Sequence, residues 1–412
     1  MSRISVIHLV FLLVLFSTLR ALGQWSPVSS GTTSNLNGTH LLDSGTGFVV
    51  GDTGTILKTT DLGATWAPLA SGTTRILHDV YLFDPNQGVA VGDRGLILRT
   101  TDGGTNWQSV ASRVTDGLWS VSFNGANGIC GGDSETILYS TDSGVSWQIS
   151  QTGFFAPPLL GAQMLSPTTG FVAGQNSIFQ PLVGTSINGG VNWDFQAFYF
   201  DGNEGGCTDV FFLEQNTGLV SGVVFDGRGA LARTTDGGTN WSTSFFDQGM
   251  QGIDFPTADI GFAVGWAGTI LHTANAGVTW IAQTSGTSAN LNDVSFAGDA
   301  LTGIAIGEGG TILRTTNGGE PSPTPTPTPS QIMVRASVER FPNREVVHLR
   351  WTGAISNTVN IFRNRVRHAT VQNTGVYSDV LTIEGRYTYQ VCEAATRNCS
   401  NEVTVRFRRP PP

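Results

Sequence analysis

Lysine is almost missing from this sequence: Lys58 stands alone beside 21 arginines in 412 residues. Charged residues total 13%, about half the share of an average globular protein (roughly 25%). Ala, Glu and Lys give way to Gly, Thr, Asn and Ser, which excludes a helical bundle or coiled coil. Four cysteines are too few for a scaffold built on disulfides. An acidic disordered chain is excluded as well, because apolar residues reach 39% and ten are tryptophan. His40, His78 and His272 show no ligand spacing, so neither a metal site nor a cofactor is expected. Beyond the first residues no apolar run is long enough to span a bilayer.

Those first residues read as a secretory signal. Arg3 precedes the apolar stretch Val6–Leu19, and Ala21-Leu22-Gly23 offers small residues for cleavage near Gly23-Gln24. The alternative, a membrane anchor, needs about 20 apolar residues, and the uninterrupted core is about half that. The mature chain is therefore expected to be secreted or periplasmic, with no transmembrane segment. Its charge is uneven. Residues 24–319 carry net −16, and residues 331–412 carry net +6. A domain at −16 repels phosphate backbones, so nucleic acid is not an expected partner.

Glycine is abundant, at 53 residues, and much of it recurs in one cassette. Six segments run from Thr or Ser to a tryptophan, as in Thr100-Thr101-Asp102-Gly103-Gly104-Thr105-Asn106-Trp107. The tryptophans are Trp66, Trp107, Trp147, Trp193, Trp241 and Trp280, and the box acids or amides are Asp61, Asp102, Asp142, Asn188, Asp236 and Asn275. A seventh cassette begins at Thr315, includes Asn317, and stops before its tryptophan. The absent strand is expected from the other end of the mature chain, where Trp25 precedes Ser30-Gly31-Thr32 as Trp66 precedes Ser71-Gly72-Thr73. Each ~40-residue unit reads as four short strands, for example 77–82, 88–92, 96–100 and 107–110, which is a propeller blade. In the box, Gly63, Gly104, Gly144, Gly190, Gly238 and Gly277 supply positive φ, and the acid accepts amide bonds from the turn. Each sheet then buries both faces against its neighbours, which accounts for the low charge.

This cassette resembles the BNR or Asp-box propellers, and most closely the photosystem II assembly/stability factor-like family, over about 24–319. The resemblance implies a seven-bladed ring and an assembly role in photosynthesis, with docking through an arginine patch. Of the seven propeller arginines, Arg99, Arg233 and Arg314 share one repeat-equivalent slot with Lys58 and read as scaffold.

Residues 320–330 form a Pro/Thr spacer, expected to be polyproline II. Residues 331–412 alternate strongly, with strands expected at 332–340, 345–352, 358–363, 376–382, 386–394 and 400–407, and resemble a fibronectin type III-like or immunoglobulin-like sandwich. Cys392 and Cys399, seven apart across an expected hairpin, are predicted to form a disulfide in an exported protein. Cys130 and Cys207 read as buried core thiols.

The fold class is thus all-β: a seven-bladed propeller closed by the N-terminal strand, plus a small C-terminal β-sandwich. For function, regularity matters less than its breaks. From the inner strand to the box acid, regular blades take 22 residues, whereas blades four and five take 26. The excess is expected in the loops near 175–184 and 223–229. Those loops, with the 193–210 connection that is about three residues longer than usual, bring Phe154, Phe155, Phe179, Phe195, Phe198, Tyr199, Phe200 and Phe225 to one sector with Asp201, Glu204 and Asp226. Exposed aromatics there point to a protein or glycan partner. An acidic rim, Asp52, Asp93, Asp133 and Glu308, reads first as turn chemistry and second as a cation or basic-partner surface. The expected protein is a non-catalytic, monomeric binding or assembly factor. A sialidase-like or glycan-hydrolysing enzyme and a surface adhesin are the alternatives.

Overall fold

The computed structural model describes residues 25–134, 136–150, 158–320, 332–394 and 398–408. The secretory-signal reading, Gln24, Phe154, Phe155 and nearly all of the spacer fall outside these. Two compact units partition the chain, Met1–Ser322 and Pro323–Pro412.

The first unit holds seven four-stranded antiparallel sheets among the described residues. Blade one comprises strands Leu36–Leu41, Gly47–Gly51, Ile56–Thr59 and Ala67–Leu69. Blade two comprises Leu77–Leu82, Gly88–Gly92, Leu96–Thr100 and Gln108–Val110. Blades three to six run over 118–149, 159–197, 205–246 and 250–283. Blade seven joins Leu291–Phe296, Gly303–Gly307 and Ile312–Thr315 to Ser26–Val28 from the other end of the unit. Its register places Ser26 opposite Arg314 and Val28 opposite Ile312.

Second strands such as Gly88–Gly92 are buried on both faces, because each blade is sandwiched between two others. No single centre exists. Seven apolar clusters lie one at each junction between consecutive blades, including the junction of blade seven with blade one. Every inner strand carries a bulge near its start, after the first residue in six blades, as between Leu77 and Asp79, and after the third in blade five, between Cys207 and Asp209. A bulge re-aims side chains, and here it turns the residue that follows it toward the neighbouring blade.

The box turns are closed by their own side chains. Thr100 Oγ1 accepts the Gly104 N–H at 2.9 Å, and Asp102 Oδ1 accepts the Asn106 N–H at 2.9 Å. Equivalent bonds to the acid or amide occur at Asp61, Asp142, Asn188, Asp236 and Asn275. Asn317 instead donates to the Glu320 carbonyl. The basic slot ties four of the boxes to the blade before them. Lys58, Arg99, Arg233 and Arg314 donate to the carbonyls of Gly103, Ser143, Ala276 and Leu62. Gly104 has φ +84°, and a Cβ there would lie 2.6 Å from Phe48 Cε1 of blade one. Gly104→Ala is therefore expected to cost about 2 kcal/mol or more. Gly72→Ala, at φ +75° but in open space, should cost about half that. Thermal unfolding of the two variants checks the difference.

The box tryptophans are not equally deep. Trp25 and Trp147 are 2% exposed, while Trp66, Trp107, Trp193, Trp241 and Trp280 are half-buried. Trp107 meets Phe48 edge-on at 5.9 Å across the junction.

The second unit is a sandwich. A three-stranded sheet (Met333–Phe341, Arg344–Thr352, Val376–Leu381) faces a four-stranded one (Val366–Gln372, Thr358–Arg363, Gly385–Glu393, Val403–Phe407) over a core that includes Trp351 and Tyr389. The strand Val366–Gln372 is absent from the sequence reading. Arg and His blur its alternation, although Asn364-Arg365, both at positive φ, form the two-residue turn that precedes it. Tyr387 donates to the Ile383 carbonyl at 2.8 Å and pins the corner between strands. Cys392 and Cys399 are disulfide-bonded, and Cys130 and Cys207 are buried free thiols whose pKa burial pushes up.

Candidate functional site

The lengthened blades are built differently from the sequence expectation. The extra residues extend the sheet rather than loosen the loops. In blade four, strands Gly170–Gln175 and Pro181–Ser186 pair all the way to Gln175–Pro181. In blade five, Gly218–Val224 and Gly229–Thr234 pair to Val223–Gly229. Only short tips remain, 176–180 and 225–228. Phe179 and Phe225 sit on these tips, 49% and 62% exposed, with ring centroids 5.2 Å apart and edge to face. Ile178 beside them is 63% exposed. The Phe179 carbonyl accepts the Gly205 N–H, which ties the tip of blade four to the inner strand of blade five.

The other predicted aromatics divide. Tyr199 is exposed at 47%. Phe200 is not a surface residue: it is fully buried in the cluster between blades four and five. Phe198 stacks on Trp241 at 4.7 Å, and Phe195 lies 6.5 Å from Trp193. These three are packing residues: Phe195 lies on the outer strand of blade four, Phe198 against the box tryptophan of blade five, and Phe200 in the cluster between the two blades. The exposed sector is thus Ile178, Phe179, Tyr199 and Phe225, with the exposed carboxylates of Asp201 and Glu204. Asp226 is engaged by Arg228 at 2.7 Å.

The acidic rim is held in place. Asp52 accepts from Asn35 and Asn37, Asp93 lies 2.9 Å from His78 Nε2, Asp133 accepts the Trp119 Nε1–H at 2.7 Å, and Glu308 accepts from Asn290. Blades four and six have no acid at this turn: the lengthened tip 176–180 stands there in blade four and Trp266 in blade six, while the blade five tip carries Asp226 paired with Arg228.

The central channel holds what the sequence reading missed. A cavity of about 450 Å³ is lined by Asp79, Asp209, Asp254 and Asp293, with His40, Tyr81 and Trp119. Each aspartate accepts a backbone N–H from the next blade: Val121 to Asp79 at 2.8 Å, Ile253 to Asp209 at 2.9 Å, Phe296 to Asp254 at 2.7 Å, and Thr39 to Asp293 at 2.8 Å. His40, Ser122 and Gln163 do the same at the remaining junctions. Burial pushes Asp79, Asp209 and Asp254 up to about 7, and Asp293 well above its ordinary value. His40 is lowered to about 4 by burial, which keeps its Nδ1 free to accept. A signal existed in the repeats. Gly38, Gly161 and Gly252 occupy the third inner-strand position in the blades that precede Asp79, Asp209 and Asp293. A Cβ at Gly38 would lie 2.6 Å from Asp79 Cα.

No curated protein matches the sequence. Residues 68–153 match the family model described as photosynthesis system II assembly factor YCF48. Among solved structures, YCF48 bound to D1 peptide is similar at 21% identity and TM-score 0.57, covering 71% of this chain and 97% of that one. YCF48 from Cyanidioschyzon merolae is similar at 18% identity and TM-score 0.56, covering 71% and 98%. A GH74 enzyme from Niastella koreensis is similar at 15% identity and TM-score 0.56, covering 92% and 74%. The repeated box, the ring of four-stranded sheets and the likeness to these structures make the first unit a BNR-type β-propeller, and residues 68–153 carry its similarity to the photosystem II assembly factor family model.

Proposed function

We propose that this chain is an exported, non-catalytic protein that binds a polypeptide partner in an assembly role. One observation carries the reading: two lengthened hairpins hold an aromatic pair in solvent, where it adds nothing to any core cluster. The likeness to YCF48 bound to D1 peptide supports a protein partner over a glycan. The likeness to a GH74 enzyme raises glycan hydrolysis as the competing function. Hydrolysis needs one ionised and one protonated carboxyl flanking the substrate. The channel aspartates are instead all pushed in one direction, and all are used as struts between blades. The basic slot is likewise spent on box carbonyls, so recognition falls to the rim rather than to an arginine patch.

A photo-crosslinking phenylalanine analogue in place of Phe225, in the full chain exported by its host, tests this. The expected result is a light-dependent adduct to a defined envelope protein. Turnover of β-glucans or sialosides, abolished by a single carboxylate substitution, would replace the binding reading with the enzymatic one.

A further inference from the structure

The two hairpin tips solve the same turn with different residues. In blade five the left-handed position is Gly227, at φ +88°, which glycine takes without cost. In blade four the left-handed position is Phe179, at φ +62°. Phe179 is the sole aromatic at positive φ among the described residues. A left-handed conformation is costly for a bulky side chain. Asn176 offsets part of that cost, since its Oδ1 accepts the N–H groups of Ile178 and Gln180. The ring gains little burial in return, at 49% exposed. A strained, exposed aromatic is poor for stability and good for contact.

The carboxylates of Asp201 and Glu204 beside it are exposed. The Phe225 N–H donates to the Glu204 carbonyl, so the Glu204 backbone adjoins the Phe225 tip. Asp201 lies in the 200–203 turn, between Tyr199 and Glu204. Arg228, the cation of this sector, is committed to Asp226 and to the face of Phe245 at 4.6 Å. Across the rim stand Asp52, Asp93, Asp133 and Glu308, and residues 24–319 carry net −16.

We infer that the paired tips of blades four and five dock an extended, basic polypeptide segment of another protein. A bulky apolar side chain of that segment seats on Phe179 and Phe225, and its positive charges lie along Asp201 and Glu204. This rests on the polypeptide-binding reading and adds to it the face and the partner's chemistry.

The test is fluorescence anisotropy with the full chain and three labelled probes: a ten-residue peptide with one Phe and one Leu among four Arg, the same peptide with Glu for Arg, and a neutral xylo-gluco-oligosaccharide. Saturable binding of the basic peptide alone is expected, weakening in roughly 0.5 M salt. In Phe179→Gly/Phe225→Ser the affinity should fall about tenfold or more. Ile281→Ser, an equally exposed residue on the outer strand of blade six, should change nothing. Phe179→Gly alone separates contact from structure: relief of the left-handed strain should hold or raise the melting temperature while binding falls. Equal binding of the acidic peptide, binding of the oligosaccharide instead, unchanged affinity in the double variant, or a lowered melting temperature with intact binding would each overturn the inference. Its failure is distinguishable from that of the wider reading. A crosslinking analogue at Tyr199 that still captures its protein in the double variant discards only this face. Absence of any protein adduct from positions 199 and 225 discards both.

Discussion

Trp25→Ala lowers the unfolding midpoint by roughly 5–8 °C, the effect of a 3–5 kcal/mol loss on a unit of this size. Trp25 is the one box tryptophan that does not follow its own box. It comes from the opposite end of the unit, yet it is 2% exposed and meets Phe296 and Phe262 edge-on at 5.7 and 6.4 Å. Its Nε1–H donates to Gln283 Oε1 at 2.8 Å, and Gln283 in turn donates to the Gly318 carbonyl. One glutamine thus links the outer strand of blade six, the seventh box turn and the closing strand. Trp25→Phe keeps most of the ring and should cost about 1 kcal/mol for the lost hydrogen bond. Removing residues through Val28 should do more, because Ile312–Thr315 then becomes an unpaired edge and invites association between molecules. Differential scanning calorimetry and light scattering read both effects. An unchanged midpoint in Trp25→Ala would show that the ring does not depend on this closure.

The second large effect is a dependence on pH opposite to that of most proteins. Asp79, Asp209 and Asp254 stand at about 7 in the fold against an ordinary 3.8, chiefly through burial, and Asp293 is raised in the same direction. The charges reinforce one another, since Asp79 and Asp209 both raise Asp293. Between about pH 4 and pH 7 the folded chain binds more protons than the unfolded one, so stability falls as pH rises through that window and levels off above it. His40, lowered to about 4 from its ordinary 6.5, acts in the opposite sense over much of the same window, as one group against four. The box aspartates act in the opposite sense only below it. Thr65 holds Asp61 down to about 2, and that contribution is lost as pH falls below the ordinary carboxylate range. Melting temperature should therefore peak near pH 4–5 and drop by several degrees toward pH 8. Asp79→Asn together with Asp293→Asn should flatten much of the slope, at the cost of about one backbone bond at each site. A profile that rises from pH 5 to pH 8 would remove the protonated channel from this account.

Local chemistry was legible in the amino-acid order. The box turns need a hydroxyl, an acid or amide four residues before the amide it caps, and a glycine at positive φ, and all of these lie within eight residues. The strands of blade two follow their alternation to within a residue, and the lone Trp25 with its Ser-Gly-Thr marks the closing strand. Partnerships between blades were not legible, because they join residues about 40 or more apart. Phe179 and Phe200 are the same residue type in neighbouring connections. One is lifted into solvent by a pairing that continues past the expected loop, and the other is driven into the cluster of blades four and five. Asp79 reads as one acid in an alternating strand until blade three presents the Val121 N–H to it. The sequence alone settled the repeat, whose turns rest on contacts within one hairpin, and the seam, because the cassette at Thr315 lacks a tryptophan and Trp25 lacks a box. Only the tertiary structure decided which aromatics face a partner and which carboxylates serve as struts. Both depend on where one blade ends against the next.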